Sequence, residues 1–558
     1  MLEDKIANLE TTLSTLANQS SAIDNSVVEE LVVWINPLTG DDNNEGTEML
    51  PLVTFDAAVK KLSEPLGGAN LCIIRIVGQL DLGTDPIMCS FPLKRQCKHL
   101  ILKGSEYGPG GTGSPQTGTL THNPANIGIA RRNWVQIRNF QGGFVTNSFQ
   151  RSFIRNENQN RVFVIESHTD QNFDLIFPSK IDERALTFPL PSTPTNIPVS
   201  DSWFIGDDFT LFTVSDSITW TGTLTVDVEE VVFSSLKIIP TTAASRMVLP
   251  NSATPRVYFT GCHFISTATG AIEYGNMAGS FVFQGVVVVA DIPGEQRKFI
   301  QSRTNRFIQM ESVWFEDGAQ LSTRGLDFHV IGMKMSNCKL CLTIRSNNFV
   351  GASMLFENGE IRQIDIAEGV STVNLLNLEI TTTASWSSST IRMISADATV
   401  KIYDAYFYTP SHARTFDLRG STRLTMEGTI SANCISSAAI LELGSYMIID
   451  AREFEWSGIT GPLFEVNDSD LYITFDCRLT LTNSNPIVRL NGGNLKINYS
   501  PVWVSPVSVI EANAGSTVSR TVAVTNTGTG NVIDCGTITS DWSISIADTQ
   551  NNVFCSVI

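Results

Sequence analysis

A short apolar pattern with one small residue at its centre recurs along the chain and restricts its fold more than any other feature. In VYFTGCHF, two apolar residues at alternate positions precede Gly261, and two more, Cys262 and Phe264, follow it. A single residue in a left-handed conformation turns the chain and keeps the next side chain pointing inward. The pattern therefore predicts two short strands joined by a tight bend.

The recurrences are regular enough to predict a repeat fold. The pattern begins at Val231, Val257, Phe281, Ile308, Met333, Val373 and Val400, with looser versions at Met354, Leu424, Met447 and Leu495. The predicted bend residues are Ser235, Gly261, Gly285, Ser312, Asn337, Asn358, Asn377, Asp404, Gly428, Ala451 and Tyr499. Their separation of roughly 24 residues is that of one solenoid coil. A propeller is the structural alternative, but its repeats are longer and carry hairpin turns.

Three of the predicted bend residues are asparagines on successive coils, Asn337, Asn358 and Asn377. Stacked asparagines can share side-chain amide hydrogen bonds along a ladder of strands. The alternative is three independent turn residues, because asparagine is favoured in turns for its own backbone contacts. Both interpretations predict the same fold.

The N-terminal segment carries a heptad seam. Apolar residues alternate at steps of four and three, with one polar interruption: Leu2, Ile6, Leu9, Leu13, Leu16, Ser20, Ile23 and Val27. Isolated helices of this length are marginal in water, so residues 1–30 are predicted to form a self-associating coiled coil. The alternative is an amphipathic helix that lies on its own domain. The seam does not decide between two and three strands.

The segment that follows carries a recognisable motif. WINPLTGDDNNEGTEMLPLVTFDAAVKKL, residues 34–62, predicts a strand, a polar turn and a short helix that Thr54 caps. It resembles the opening of right-handed parallel β-helix proteins of the pectate-lyase-like superfamily, which includes phage tailspikes. The resemblance implies that the helix covers the open end of the solenoid, and it favours a trimer.

These patterns divide the chain into four predicted parts. They are a coiled coil (1–30), a capping segment with a short helix (31–70), an all-β right-handed parallel β-helix (71–500) and a C-terminal β cap or interchain element (501–558). Runs at residues 72, 99, 134 and 161 are interpreted as the early coils. Loops at 104–119 and 188–198 are expected to project from the solenoid, where loops often carry binding residues.

Composition excludes several classes of function. A formal net charge of −18 argues against a nucleic-acid or anionic-membrane partner, because both need a basic face. No apolar run is long enough to span a membrane, and no secretory signal is visible. The thinly spread cysteines are interpreted as reduced core residues, and the CxxC of Cys338 and Cys341 is a weak indication of zinc or redox chemistry. We expect neither a cofactor nor a metal.

The candidate catalytic residues are three carboxylates beside the bends of successive coils, Asp404, Glu427 and Asp450. Adjacent pairs suit a retaining glycosidase and the outer pair an inverting one. Glu311 and Glu357 form a second, sparser pair. The alternative is that these residues are solvated turn residues.

Aromatic and basic residues near these carboxylates suggest contact with sugar. The candidates for a stacking platform are Tyr403, Tyr406, Tyr408, Arg452 and Trp456. No basic cluster of the kind that calcium-dependent pectate lyases use is present, so a lyase is disfavoured.

The resemblance implies a homotrimeric virion protein, made in the host cytoplasm and attached near its N-terminus, with the solenoid directed at host-surface carbohydrate. Three functions remain: an adhesive fibre, a glycan-depolymerising tailspike hydrolase, and a structural decoration or vertex fibre of a capsid.

Overall fold

A computed structural model describes residues 30–557 with gaps, the longest of which are 64–70, 89–98, 127–133, 138–147, 179–205, 249–255 and 539–552. The predicted coiled coil falls on residues 1–29, which lie outside the described residues. Within the described part the chain is all-β, apart from one helix, and its dominant feature is a parallel β-solenoid. The predicted fold class is therefore confirmed for the solenoid.

Strands account for nearly all the regular structure. The first are Leu31–Ile35, Leu71–Ile76, Gln79–Thr84, Ile87–Met88 and His99–Gly104. An inserted group follows: Glu106–Tyr107, Gln116–Thr119, Ala125–Asn126, Trp134–Ile137, Phe153–Asn156, Arg161–His168, Phe173–Pro178 and Asp208–Val214. The solenoid then continues with Ser217–Thr221, Thr223–Val226, Glu230–Ser234, Lys237–Pro240, Arg246–Val248, Arg256–Ser266, Ile272–Tyr274, Ser280–Ala290, Arg297–Ser302, Phe307–Glu316, Ala319–Ser336, Leu342–Glu357, Ile364–Ile366, Thr372–Thr381, Trp386–Met393, Thr399–Tyr408, His412–Leu418, Arg423–Asn433, Ser437–Leu441, Tyr446–Ser457, Phe464–Ile473, Leu479–Thr480, Val488–Ile497, Val502–Val504, Ile510–Ala512, Ser516–Arg520, Thr525–Asn526, Ile533–Ile538 and Val553–Val557.

Each complete coil contributes one strand to each of three parallel sheets, which we call sheets A, B and C. In one representative coil, residues 399–403 lie in sheet A, 405–408 in sheet B and 416–418 in sheet C. Every strand pairs in parallel with the equivalent strand of the next coil, as 399–403 does with 423–427. Alternate side chains point into the solenoid and form one continuous apolar core.

The bend between sheets A and B is built as the sequence predicts. Nine residues stacked at this position have φ between 50° and 76°: Ser235, Gly261, Gly285, Ser312, Gly332, Ser353, Asn377, Asp404 and Gly428. Most are glycine, serine, asparagine or aspartate, the small or turn-favouring residues that accept a left-handed backbone at low cost. The recurring small residue therefore sets the corner of the solenoid.

The predicted asparagine ladder is wrong in its members. Asn377 lies in the bend between sheets A and B, but Asn337 and Asn358 follow sheet B and form a second column with Asp317. A ladder exists elsewhere. It joins three asparagines that follow sheet C: Asn491 donates to Asn467 at 2.8 Å, and Asn513 donates to Asn491 at 2.5 Å.

The predicted capping helix is confirmed at Phe55–Ser63. The Thr54 hydroxyl accepts a hydrogen bond from the Ala57 N–H at 3.2 Å, and Asp42 of the motif accepts bonds from the N–H groups of Val53 and Thr54. The strand before the helix, Leu31–Ile35, pairs with Leu71–Ile76. The solenoid therefore begins inside the segment predicted as a cap.

The described residues between 105 and 216 form an inserted unit rather than coils. Their strands pair in antiparallel fashion, so the runs at 134 and 161 were wrongly interpreted as coils, whereas those at 72 and 99 are correct. The insert replaces the bend of one coil. The carboxylate of Asp216 links the two ends of the insert to the preceding coil, because it accepts 2.7 Å hydrogen bonds from the N–H groups of Gly78 and Ser105.

The insert folds back over the bends of later coils. Arg161 pairs with the buried Glu311 at 3.0 Å, and Lys334 lies 2.8 Å from both Glu166 of the insert and Glu357 of the solenoid. The Lys334 ammonium also lies over the Trp314 ring, 4.8 Å from its centroid. Charged and apolar contacts together hold the insert against the solenoid.

Cysteines behave as the sequence predicts wherever their side chains are described. Cys262, Cys338, Cys341 and Cys434 are free and buried, and Cys72 is buried as well. Among the described residues, no helix is long and apolar enough to cross a membrane. The same part of the chain shows no group of three or more His, Cys, Asp or Glu side chains that could hold a metal ion.

Candidate functional site

Two of the three predicted carboxylates lie side by side on the outer face of sheet A. Glu427 and Asp450 are direct partners in adjacent parallel strands, each one residue before the bend position. Met426 and Ile449, which precede them, are fully buried in the core, so the two carboxylates point outward. We call Glu427 and Asp450 the acidic pair.

Asp404, the third predicted residue, performs a different task. It occupies the bend itself, with φ of 53°, and its carboxylate accepts a 2.6 Å hydrogen bond from the N–H of Thr429 on the next coil. The same carboxylate lies so close to Gly428 that a Cβ there would approach Oδ1 to 2.3 Å. These contacts give Asp404 a structural role, and we leave it out of the functional site.

Among the described side chains, one group outside the pair contacts each carboxylate. The Lys401 ammonium lies 2.5 Å from Oε1 of Glu427, and the Thr474 hydroxyl donates to Oδ1 of Asp450 at 3.1 Å. Asp450 is exposed and Glu427 is half-buried. Two carboxylates with unused acceptor positions therefore face solvent beside a cation, an arrangement suited to hydroxyl groups of a ligand.

The spacing of the acidic pair bears on the chemistry that it can perform. Adjacent strands of a sheet are about 4.8 Å apart, and the carboxyl groups of retaining glycosidases are about 5–5.5 Å apart. This strand spacing is closer to the retaining distance than to the inverting one, which is about 6.5–9.5 Å.

The predicted aromatic platform is divided by the bend. Tyr403 lies in sheet A as the strand partner of Glu427, whereas Tyr406 and Tyr408 lie beyond the bend in sheet B. Trp456 is buried, and its indole N–H contacts the Cys434 sulfur at 3.3 Å, so it cannot face a ligand. The side chain of Arg452 lies outside the described residues.

A different aromatic pair lies next to the acidic pair. The rings of Tyr446 and Tyr472 are 4.6 Å apart on sheet A, and the Lys496 ammonium lies 6.0 Å from the Tyr472 centroid. Partial burial, with Asp470 and Tyr446 nearby, raises the pKa of the Tyr472 hydroxyl, which therefore remains a hydrogen-bond donor. We call Tyr446 and Tyr472 the tyrosine pair.

Sequence reasoning missed the tyrosine pair, although a signal existed. Both tyrosines fall at outward positions of sheet A strands in successive coils, in YMIID and LYITF. Aligning the looser repeat at Met447 with the similar run at Leu471 would have placed the two tyrosines on one face of the sheet. Asp470 and Asn494 extend the same face, since the Asn494 amide donates to Asp470 at 2.7 Å.

The second predicted carboxylate pair does not form a site. Glu311 lies under the insert, 4% exposed, where Arg161 and Gln284 both bind its Oε2 atom. Glu357 lies in sheet B and pairs with Lys334. The two glutamates therefore fix the insert to the solenoid.

Comparisons with known proteins were made against this geometry. No protein-family model and no curated protein matches the chain. Among solved structures, a glycoside hydrolase is 9% identical, with a TM-score of 0.29 over 77% of this chain and 96% of its own. The GH136 lacto-N-biosidase from Eubacterium ramulus is 10% identical, with a TM-score of 0.21 over 93% and 70%. The complex of XylC with xylose is 9% identical, with a TM-score of 0.14 over 89% and 76%.

The fold and the site together define a class of protein. The chain is a parallel β-solenoid, and one outer sheet face carries both a pair of carboxylates and a pair of tyrosines in ring contact. At such low identities and TM-scores the comparisons carry no argument about activity, so the proposal below rests on the site itself.

Proposed function

We propose that the chain is a glycan-binding solenoid, and that the saccharide binds across the strands of sheet A over the acidic and tyrosine pairs. One observation carries the proposal. Apolar ring faces (Tyr446, Tyr472) lie beside carboxylates (Glu427, Asp450) on one sheet surface. Sugars present apolar C–H faces and rims of hydroxyls, which such a surface satisfies through stacking and charge-assisted hydrogen bonds.

A binding assay with a matched control tests this proposal. Tyr446→Ala should weaken binding of the best ligand from a glycan array about tenfold, which corresponds to ~1.4 kcal/mol. The control is Tyr258→Ala, a half-buried tyrosine on sheet A several coils away. Equal affinity of the two variants would exclude the tyrosine pair from the binding surface.

Glycan hydrolysis is the second candidate function, and the side-by-side placement of Glu427 and Asp450 favours it. One carboxyl group would protonate the leaving oxygen while the other attacks the anomeric carbon. Water, deprotonated by the first group, would then hydrolyse the glycosyl-enzyme ester and free the second carboxylate. Glu427→Gln or Asp450→Asn should then lower release of oligosaccharide by about 10²–10⁴-fold.

The matched control for hydrolysis is Glu230→Gln, a sheet A glutamate remote from the pair. Binding without any release by the unmodified protein would leave adhesion as the function. Release that survives both substitutions would exclude the acidic pair as catalytic.

We further propose that this solenoid is the adhesive fibre of a virion, a homotrimer attached through its N-terminal segment. The motif of residues 34–62 and the heptad seam of residues 2–27 support this proposal. Light scattering of the intact chain should give three times the monomer mass. Labelled antibody on particle images would separate a tail fibre from a capsid decoration, and labelling of neither would contradict a virion role.

A further inference from the structure

A corner of the solenoid remote from the acidic pair carries polar side chains that the proposed function does not use. It connects sheets B and C in two adjacent coils. The strand register pairs Trp386 with His412 and Ser389 with Arg414. Because adjacent strands are about 4.8 Å apart, these four side chains belong to one region, which we call the polar corner.

Each member of the polar corner has a buried atom without a hydrogen-bond partner in the described part of the chain. The atoms are Nε1 of Trp386, Oγ of Ser389, Nε2 of His412 and Nε of Arg414. Ser389 and His412 are completely buried. Leaving such a group unsatisfied is destabilising, and folded proteins usually satisfy it with a protein group, water or an ion.

The unsatisfied atoms are predominantly donors. Indole and guanidinium nitrogens only donate, and a serine hydroxyl can donate. The Thr390 hydroxyl lies 2.9 Å from Nδ1 of His412, and burial lowers the pKa of this histidine to about 4. When Thr390 donates in this contact, the neutral imidazole carries its proton on Nε2, and the fourth atom is then a donor as well.

The charge of the polar corner favours an anion over a water molecule as its ligand. Arg414 is always charged, and within the described residues no carboxylate pairs with it. Two nearby arginines differ from it in this respect: Arg392 binds Asp365 at 2.8 Å and Arg419 binds Asp417 at 2.9 Å. The polar corner therefore has several donors and one uncompensated cation.

We propose that the polar corner binds one small monovalent anion, of the size of chloride, bromide or formate. The anion would accept hydrogen bonds from Trp386, Ser389 and His412 and would neutralise Arg414. The proposal is independent of the glycan site, because it involves other residues of other sheets. Its consequence is anion-dependent stability of the coils that carry Tyr403 and Glu427.

A crystal soaked in sodium bromide tests the site directly. We expect one anomalous peak within hydrogen-bonding distance of Trp386 Nε1 and Ser389 Oγ. A peak-free corner filled by water would overturn the proposal. A bromide at the surface with none in the corner would overturn it equally.

A solution experiment provides the matched control. Replacing gluconate by chloride at constant ionic strength should raise the thermal midpoint of the unmodified protein and then saturate, as expected for a ligand of the native state. Arg414→Gln should abolish this rise. Arg345→Gln, which removes an exposed arginine of sheet C, should retain it.

If Arg414→Gln does not fold, Trp386→Phe and Ser389→Ala replace it, because each removes one donor and keeps most of the side-chain volume. Each should reduce the chloride-dependent rise at least severalfold. An equal rise in these variants and in the unmodified protein would overturn the proposal.

Discussion

At the scale of single residues, Asp404 shows how bend chemistry can imitate a catalytic pattern. Aspartate and asparagine accept a left-handed backbone more readily than most residues. At the bend between sheets A and B, that preference places the Asp404 carboxylate against the Thr429 N–H of the next coil. An acidic residue beside a bend therefore needs its hydrogen-bond partner known before it is assigned to catalysis.

Asp404→Ala should lower the free energy of unfolding by about 1.5–3 kcal/mol, because it removes a charge-assisted hydrogen bond and puts alanine at positive φ. Urea unfolding at pH 7 measures the loss. Asp404→Asn is the control, since its side-chain oxygen can still accept from Thr429. Equal losses in the two variants would contradict the assigned contact.

His412 should make stability depend on pH. Its pKa is lowered by burial to about 4, below the ordinary 6.5. Between pH 4 and pH 6.5 the unfolded state therefore binds more protons than the folded state. Stability is highest above pH 6.5 and falls as the pH drops towards 4. At about 1.4 kcal/mol per pKa unit, the loss is up to about 3 kcal/mol.

The measurement compares unfolding of the unmodified protein and His412→Gln from pH 7 to pH 4. The stability difference between the two should shrink or reverse as the pH falls. A His412→Gln difference that is constant with pH would contradict the prediction.

At the scale of elements, bend and insert depend on each other. The bend glycine Gly285 has φ of 60°, and a Cβ built there would lie 2.9 Å from the backbone carbon of Val162 in the insert. The Val164 N–H donates to the Ser312 hydroxyl at the next bend, at 2.8 Å. Small residues at these bends therefore allow the chain to turn and also allow the insert to pack closely against the solenoid.

Gly285→Ala should destabilise the protein and loosen the insert, because backbone atoms of Val162 must move to accept the new methyl group. The control is Gly206→Ala, where φ is also positive, at 95°, but nothing lies within 4 Å of the new Cβ. Limited proteolysis within residues 105–216 should be faster in Gly285→Ala. Equal cleavage rates in the two variants would contradict the predicted contact.

At the scale of the whole molecule, the solenoid could be predicted and the insert could not. A repeated local pattern reports directly on a fold whose every coil repeats the same local geometry, as the runs at Val257 and Phe281 do. The strands at Trp134 and Arg161 show similar alternation, but they pair in antiparallel fashion. Alternation reveals which residues face a core and does not reveal the direction of the partner strand.

The candidate site was predictable in part for the same reason. Glu427 and Asp450 could be brought together because they occupy equivalent positions in successive repeats. Asp404 lies in the bend, as the sequence predicts, but the pattern did not reveal that its carboxylate accepts a hydrogen bond from the Thr429 N–H of the next coil. The contacts of Glu311 depend on Arg161, 150 positions away in the chain, so no local pattern could reveal them.

The way the insert enters the solenoid has a consequence for how such chains diversify and can be engineered. Residues 105–216 replace one bend, yet the strands on either side still pair with those of the preceding coil: 99–104 pairs with 71–76, and 217–221 pairs with 79–84, with one register shift between Thr219 and Thr221. A bend is thus a splice point at which a foreign folded domain with closely spaced termini can be grafted without shifting the coils. Successive bends provide regularly spaced insertion points along the solenoid axis, each about one strand spacing from the next.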